Sequence, residues 1–297
     1  MEWYYFILLA AIANGLYIIV TKKALLKEHS IEFSSAHSIV VLLLSLPLLF
    51  FIDLNLKLSQ VAMIYIASSL YTIAFFCRIK AIRHTDISIV TPLMIFTPVV
   101  TSALAVILLG EHLRGLQVAG IALLLLGAYI LQIRNKHARL LEPLKAMFAS
   151  KYSSYLFASV LLFSFFLLMI RMLTNSANPG SVEPITYIVL QNVFVALNFF
   201  VISTLFFNGF KAYKEGFQQS RLMFTAAFLI LALGIFRILA ITMPDAKLAL
   251  VSALSEVYIL LDVYVGGRLF HEKNIGWKLA GTLVMLIGVY IVLQHAG

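Results

Sequence analysis

Two stretches of sequence decide the fold: EHLRGLQVAG at residues 111–120 and EKNIGWKLAG at residues 272–281. They lie 161 residues apart, and this register holds eight identities over positions 111–132. Upstream, Arg78 matches Arg237 at an offset of 159, so an insertion of two residues in the second copy joins the two registers. The sequence therefore predicts an internal repeat, with two copies of one unit.

The composition indicates that both copies lie in a lipid bilayer. Of the 297 residues, 62% are apolar and 12% are charged, whereas an ordinary soluble domain carries about 25% charged residues. Mean hydropathy is +0.99. A soluble fold of this length has too much surface to cover with so few polar side chains. The first apolar run has no basic residues before it, so we expect it to be kept as a helix and not cleaved as a signal peptide.

Ten apolar runs are long enough to cross a membrane, since a helix needs about 20 apolar residues to do so. The predicted spans are 3–21, 33–52, 59–81, 87–109, 116–133, 152–173, 184–207, 222–242, 247–269 and 275–294. The predicted fold class is an all-α integral membrane protein with ten transmembrane helices in two inverted five-helix repeats. Its units are residues 1–133, a basic amphipathic linker at 134–151, and residues 152–297. Pro92 and Pro98 predict a kink in the fourth span.

The charges of the loops are the reason for expecting inversion. Five spans in each repeat is an odd number, so the second copy must enter the membrane from the opposite side. With the adjoining span ends, the loops after spans 1, 3, 5, 7 and 9 carry 17 Lys and Arg residues, and all other loops and termini carry 5. The positive-inside rule places the 17 in the cytoplasm and both termini outside. We expect the plasma (inner) membrane of a prokaryote, and the scattered basic residues do not indicate a nucleic-acid partner.

Small residues in the fifth and tenth spans predict a close helix–helix contact. Gly115 and Ala119 lie on one helix face, and Gly276 and Ala280 lie on the equivalent face of the second copy. In lipid, close packing of small residues replaces the hydrophobic effect as the force between helices. We therefore assign these four residues to packing.

Glu256 lies near the midpoint of the ninth span, where a charge costs at least about 2.5 kcal/mol. One interpretation is a structural ion pair, with Arg78, Arg171 or Arg237 as the partner. The other is a carboxylate that binds solute or exchanges protons, since ionisable groups inside a membrane mark transport pathways. Arg78 and Arg237 occupy equivalent repeat positions, where they either reach towards the surface or line a cavity for an anionic solute.

Softer polar side chains within the spans indicate a wet interior and are further candidates for contact with a solute. They are Asn14, His37, Tyr71, Thr97, Ser164, Gln191, Asn192, Asn198 and Ser252. Each could instead bond a neighbouring backbone group. His37 could titrate near neutral pH, although a lone histidine is more often a core residue.

Enzyme chemistry is not indicated. The motifs of metalloproteases, serine hydrolases and phosphate-binding loops are missing, and the one cysteine, Cys77, forms no cluster with histidines. Glu111 and Glu272 each precede a helix, so we predict that they cap helix N-termini and do not take part in catalysis. We therefore expect no enzyme activity, no cofactor, no bound metal and no direct use of ATP.

The order and spacing of the motifs resemble the drug/metabolite transporter superfamily, specifically its EamA-type ten-helix transporters. The first copy carries Ala81-Ile-Arg83, Pro92, Thr97-Pro98-Val99, Leu109-Gly110-Glu111, Gly120 and Gly127; the second carries Gly266-Gly267-Arg-Leu-Phe-His-Glu272, Gly281 and Gly288. The resemblance covers nearly the whole chain. Two features depart from it: the second copy has no Pro-Val pair near Glu256, and the C-terminus is not basic. The resemblance implies movement of small metabolites without ATP, often as export.

The sequence thus predicts a secondary transporter of a small metabolite or drug-like solute, with efflux by alternating access between the two repeats. Coupling to a proton or another ion would drive it, and we expect a monomer or a weak homodimer in the bilayer. A passive channel or facilitator and a scaffold that transports nothing are the alternatives. The duplicated, inverted architecture argues against a scaffold, since related halves that rock about a midplane site are typical of transporters.

Overall fold

The computed structural model describes residues 2–25, 29–84, 94–132, 153–207, 209, 213–214, 220–261, 264–265 and 275–294. The helices are α1 (Trp3–Leu25), α2 (Ser30–Ser45), α3 (Leu58–His84), α4 (Phe96–Leu109), α5 (Gly115–Gln132), α6 (Ser153–Thr174), α7 (Pro184–Phe206), α8 (Ser220–Thr242), α9 (Leu248–Ser255), α10 (Tyr258–Leu261) and α11 (Ile275–Gln294). A 3-10 helix, Leu46–Phe51, extends α2. The predicted linker at 134–151 lies outside the described residues, as do Pro92 and Glu272.

The helices are those of an integral membrane protein that crosses the bilayer several times. Within the described residues, six helices are long and apolar enough to span a membrane: α1, α2 with its 3-10 extension, α3, α6, α7 and α8. Four shorter apolar segments are α4, α5, α9 with α10, and α11. Large apolar side chains such as Phe50, Ile107 and Leu205 are exposed, while polar ones such as Asn14 and Ser34 are buried. Lipid is the solvent that suits this arrangement.

Local sequence sets the helix ends. Gly110 ends α4 in the left-handed conformation, with φ of 67°, which glycine adopts at little cost. At the start of α7 the Glu183 carboxylate accepts a hydrogen bond of 2.7 Å from the backbone N–H of Thr186. Pro184 follows as the first helical residue, where a missing N–H costs nothing.

Two predicted spans differ from the structure. The ninth span, predicted as one helix over 247–269, breaks at Glu256 and Val257, which form a turn between α9 and α10. In the fourth span Met94 is helical, Ile95 lies in a turn, and α4 begins at Phe96, so Pro98 lies in the first turn of α4. Proline is tolerated there because the first N–H groups of a helix have no partner within it. The predicted kink also rests on Pro92, which lies outside the described residues.

Most of the large helix contacts recur when α1–α5 are exchanged for α6–α11. α1 packs on α8 as α6 packs on α3, and α2 packs on α8 as α7 packs on α3. α1 contacts α9 as α6 contacts α4. The remaining large contacts join equivalent helices of the two halves: α5 with α11, α2 with α7, and α4 with α9. Each half therefore completes the other, and neither forms a separate bundle.

The contact between α5 and α11 is as close as the sequence predicts, but it uses a different face. A Cβ atom at Gly127 would lie 2.3 Å from the Met285 backbone nitrogen, and one at Gly288 would lie 2.4 Å from that of Leu124. Adding the offset of 161 to Gly127 and Leu124 gives Gly288 and Met285. The two contacts therefore join matching positions of the two predicted copies. Gly120 packs on the same surface, where its Cβ would lie 3.0 Å from a methyl carbon of α11.

The predicted packing residues lie elsewhere. Gly115 has no atom within 4 Å of where a Cβ would stand, and Ala119 and Ala280 are exposed. The surroundings of Gly276 lie outside what the structure describes. Gly120 and Gly127 are seven residues apart and share a face, whereas five residues separate Gly115 from Gly120 and turn it away.

Candidate functional site

A central cavity lies where both halves of the molecule meet. Its volume is about 110 Å³, several times the roughly 15 Å³ that one water molecule needs by the same measure. Its walls come from α1, α3, α4, α6, α8, α9 and α10. The wall helices come from both predicted repeats, in which α1 would correspond to α6, α3 to α8, and α4 to the broken helix α9–α10. Its polar and charged lining residues are Asn14, Tyr17, Thr21, Tyr71, Arg78, Thr97, Ser159, Arg237, Ser252, Ser255, Glu256 and Tyr258.

Glu256 lines this cavity at the break in the ninth span. Its side chain is 6% exposed, and its residue ends α9. The turn that follows has short-range backbone bonds, such as Ile259 N–H to the Glu256 carbonyl at 3.0 Å. Ser252 and Ser255 use their hydroxyls to bond carbonyls of the preceding turn. A discontinuous helix with a carboxylate at its break is a common way to build an ion or solute site in a membrane.

Arg78 and Arg237 bring two positive charges to the same cavity, one from each repeat. Arg237 interacts electrostatically with both Arg78 and Glu256. Its guanidinium also lies over the ring of Phe163, 5.5 Å from the centroid. Within the described part of the chain, neither guanidinium donates a hydrogen bond to another residue. Arg237 is therefore an electrostatic neighbour of Glu256.

Aromatic rings form the apolar wall of the cavity. The ring of Tyr71 lies 5.9 Å from that of Phe75 and 6.3 Å from that of Phe163. Phe163 in turn lies 5.5 Å from Phe166. The cavity therefore has aromatic rings on α3 and α6 and charged side chains on α3, α8 and α9.

A second cavity of about 70 Å³ lies beside the first, among α2, α3, α6, α7 and α8. Its polar lining includes His37, Gln191 and Asn192, and it shares Tyr71 and Arg237 with the central cavity. These two side chains therefore stand between the two spaces. His37 is enclosed by aromatic rings, with Phe33 at 5.3 Å and Phe75 at 5.7 Å.

Ten of the twelve polar residues that the sequence predicts as candidates line one of these cavities. Those in the central cavity are Asn14, Tyr71, Arg78, Thr97, Arg237, Ser252 and Glu256; those in the second are His37, Gln191 and Asn192, with Tyr71 and Arg237 in both. Two softer candidates lie outside both cavities. Ser164 bonds the Val160 carbonyl at 2.8 Å, and Asn198 donates to hydroxyls of α3. The sequence missed Tyr17, Thr21, Ser159, Ser255 and Tyr258 as lining residues, although each is a polar side chain within or next to an apolar span.

Arg171 has a different role from the cavity arginines. Its guanidinium donates to the carbonyls of Ile241, Met243 and Pro244, the last two at 2.7 and 3.0 Å. These carbonyls end α8, where a cation is favoured by the helix dipole. Arg171 thus caps a helix and is not the partner of Glu256.

Glu111 also caps a helix, but not the one that follows it. Its carboxylate accepts hydrogen bonds from the backbone N–H groups of Leu248 at 2.6 Å and Ala249 at 3.1 Å, which begin α9. The neighbouring Lys247 ammonium donates to the His112 carbonyl at 2.8 Å. A loop of the first repeat therefore holds the start of the broken helix that carries Glu256.

Comparisons with known proteins agree with this architecture. A solved structure described only as "Crystal structure of protein" has a TM-score of 0.60 and is 14% identical, and the match covers 99% of this chain and 96% of that one. At this level of identity the likeness shows the fold alone. No curated protein matches the chain. Residues 1–133 match the EamA-like transporter family, which confirms over those residues the resemblance to the drug/metabolite transporter superfamily that the sequence motifs indicate.

Proposed function

We propose that this protein is a secondary transporter that exports a small solute by alternating access between two inverted five-helix repeats. The observation that carries this proposal is the central cavity, whose walls come from helices of both predicted repeats. A site shared by two equivalent halves can face either side of the membrane as the halves rock about it. The family match over residues 1–133 supports transport.

Inversion of the repeats is part of the proposal. Most of the large helix contacts recur on exchange of the two halves, and the close approaches of Gly127 to Met285 and of Gly288 to Leu124 exchange with each other. Such exchange indicates a two-fold axis. Because each repeat has an odd number of spans, the axis would lie in the plane of the membrane.

Glu256 is the residue that we propose to couple transport to a proton. It is buried at the break of the ninth span, where low polarity disfavours the charged form. The titratable groups that face this part of the cavity are Arg78 and Tyr71 on α3, Arg237 on α8, and Tyr258 on α10. The two arginines favour the charged form, so the balance can change when solute occupies them. In this proposal, solute binding at the arginines changes whether the Glu256 carboxyl group holds a proton, which couples the two events.

The proposed orientation places both termini outside and the loops after α1, α3, α5, α7 and α10 in the cytoplasm of a prokaryotic cell. The support is the distribution of 17 against 5 basic residues. A reporter that is active only in the cytoplasm, fused after Gly297, should be silent. Strong cytoplasmic activity of a well-expressed fusion would reverse the orientation.

The test of alternating access requires no knowledge of the solute. In a Cys77→Ser background, Ser252→Cys places a thiol in the cavity, and a membrane-impermeant maleimide is applied from either side of oriented vesicles. We expect labelling from both sides, because a transporter exposes the cavity to each in turn. Ser164→Cys is the matched control, since this serine is buried outside both cavities and should react from neither side. Labelling of Ser252→Cys from neither side would indicate a scaffold.

The passive channel is separated by a second measurement. Solutes that raise the thermal stability of the purified protein would be tested in proteoliposomes, since a ligand that binds only the folded state stabilises it. Counterflow of labelled solute indicates a carrier. Unitary conductance steps in a planar bilayer would indicate a channel and contradict the proposal.

A further inference from the structure

The charge of the central cavity is unbalanced. Among the described lining residues there are two guanidinium groups, Arg78 and Arg237, and one carboxylate, Glu256. Neither guanidinium forms a hydrogen bond or a close ion pair within the described part of the chain. Both side chains are half-buried and line the cavity, and polar groups shielded from bulk water are normally hydrogen-bonded. Arg171, by contrast, is hydrogen-bonded as expected, because its guanidinium donates to three backbone carbonyls.

The geometry points to an organic monoanion as the solute, with its anionic group between Arg78 and Arg237 and an apolar body against the rings of Tyr71, Phe75 and Phe163. This inference rests on the proposed transport function and names the class of solute for the same site. A guanidinium presents planar donors that match the oxygens of a carboxylate or a similar anion. Because the two donors come from equivalent positions of the two repeats, one anion could stay in contact with both halves while they move.

The apolar body of the solute is inferred from the aromatic rings beside the two arginines. The rings of Tyr71, Phe75 and Phe163 lie side by side at centroid distances of 5.9 and 6.3 Å. Phe163 also holds the Arg237 guanidinium over its face, which places the charged and apolar contacts next to each other. A small inorganic anion would leave this aromatic surface without a contact, so we expect it to bind more weakly than an anion with a ring or a chain.

Glu256 limits the solute to one negative charge. When it is ionised, the described lining carries a net charge of one, which a monoanion neutralises. A dianion would leave one excess negative charge in a site of low polarity, where unpaired charge is costly. Replacement of Glu256 by glutamine should therefore move the preference towards dianions.

The experiment uses four probes with the purified full-length protein: benzoate, acetate, benzyl alcohol and benzylammonium, at constant ionic strength. The readout is the midpoint of thermal unfolding against probe concentration. We expect benzoate to raise the midpoint, acetate to do so only at much higher concentration, and benzyl alcohol and benzylammonium to have no saturable effect. A larger saturable shift with benzylammonium than with benzoate, or no shift with benzoate, would overturn the inference.

Variants locate the effect. Arg237→Gln and Arg78→Gln should each raise the benzoate concentration at half-effect by about tenfold or more, which is the loss of one charge-assisted hydrogen bond. Arg237→Lys keeps the charge and should retain part of the effect. Arg221→Gln is the control, because this arginine is exposed at the start of the same helix, α8. Equal losses in Arg221→Gln and Arg237→Gln would mean that benzoate binds elsewhere.

A separate measurement tests whether the site is limited to solutes with one negative charge. Phenyl phosphate is largely a dianion above pH 7, since its second ionisation lies near pH 6. Glu256→Gln should strengthen its effect relative to that of benzoate, and an unchanged ratio would overturn the limit.

Failure of this inference differs from failure of the transport function. If Ser252→Cys is labelled from both sides and benzoate has no effect, the class of solute is wrong. If benzoate stabilises and no labelling occurs, the transport function is wrong.

Discussion

Helices of the two halves meet in two different ways. They pack closely at the interface between α5 and α11, and they stay apart around the central cavity. At the interface, glycines bring the main chains together, so that no room remains for a Cβ at Gly127 or Gly288. In the cavity, the meeting helices leave a space of about 110 Å³ and line it with charges and rings. From this difference we expect the α5–α11 interface to matter mainly for stability and the cavity mainly for solute binding. Substitutions at the interface should therefore change folding, and substitutions in the cavity should change transport.

The largest effect should come from Gly127→Leu. The new Cβ would overlap the Met285 backbone, which cannot move aside as a side chain can, so we expect a loss of about 3 kcal/mol or more and little folded protein. The measurement is the yield of monodisperse protein in size-exclusion chromatography. Gly115→Leu, on the same helix with nothing within 4 Å, is the matched control and should give the wild-type yield. Similar yields for the two variants would remove the distinction between the two faces of α5.

The two kinds of arginine should respond in opposite ways. Arg171→Gln removes the donors that cap α8, and bonds to charged groups contribute about 1.5–3 kcal/mol, so the protein should lose about 2 kcal/mol of stability. Arg237→Gln removes a half-buried charge that donates no hydrogen bond within the described residues, so stability should be unchanged or higher. Thermal unfolding in one detergent measures both. A larger loss in Arg237→Gln than in Arg171→Gln would make the cavity a structural element.

A smaller effect should come from Glu111→Gln. The amide still accepts a hydrogen bond from the start of α9 but loses the charge that favours a helix N-terminus, so we expect a loss of about 1 kcal/mol. The midpoint of thermal unfolding gives the change. Glu183→Gln is the control for capping in general, because its carboxylate caps the helix that directly follows it, α7, through Thr186. A change in solute response without a change in stability would show that Glu111 acts on the cavity.

Much of the membrane architecture could be predicted from the sequence. Apolar runs of about 20 residues gave the order of the segments, and polar residues within those runs gave all ten candidates that line the two cavities. This worked because a polar side chain in lipid must face the interior or a partner.

The sequence failed where long-range geometry decides. Gly115 and Gly120 are both small residues on α5, and only the position of α11 determines which of them is in contact. Glu111 could cap the helix that follows it in sequence, and only the fold brings α9 to its carboxylate. The break at Glu256 is also hidden, since no proline or glycine lies at that position to indicate it. Tertiary packing determined each of these outcomes.

The smallest effect on stability, and the sharpest test of the cavity, should come from Glu256→Gln. Glutamine keeps the shape of the side chain and mimics the protonated form, so the yield and the thermal midpoint should stay near those of the wild type. In the Ser252→Cys protein, the ratio of labelling from the two sides should change with pH, because protonation of Glu256 alters the balance of charge that holds Arg237. The ratio cancels the ordinary pH dependence of the thiol.

With Glu256→Gln added, the ratio of labelling from the two sides should no longer respond to pH. Exchange of solute for solute should continue without accumulation driven by a pH gradient. If the ratio responds to pH equally in both proteins, another group carries the proton. If the variant instead loses stability while the remaining transport keeps its pH dependence, Glu256 is only a structural partner of Arg237.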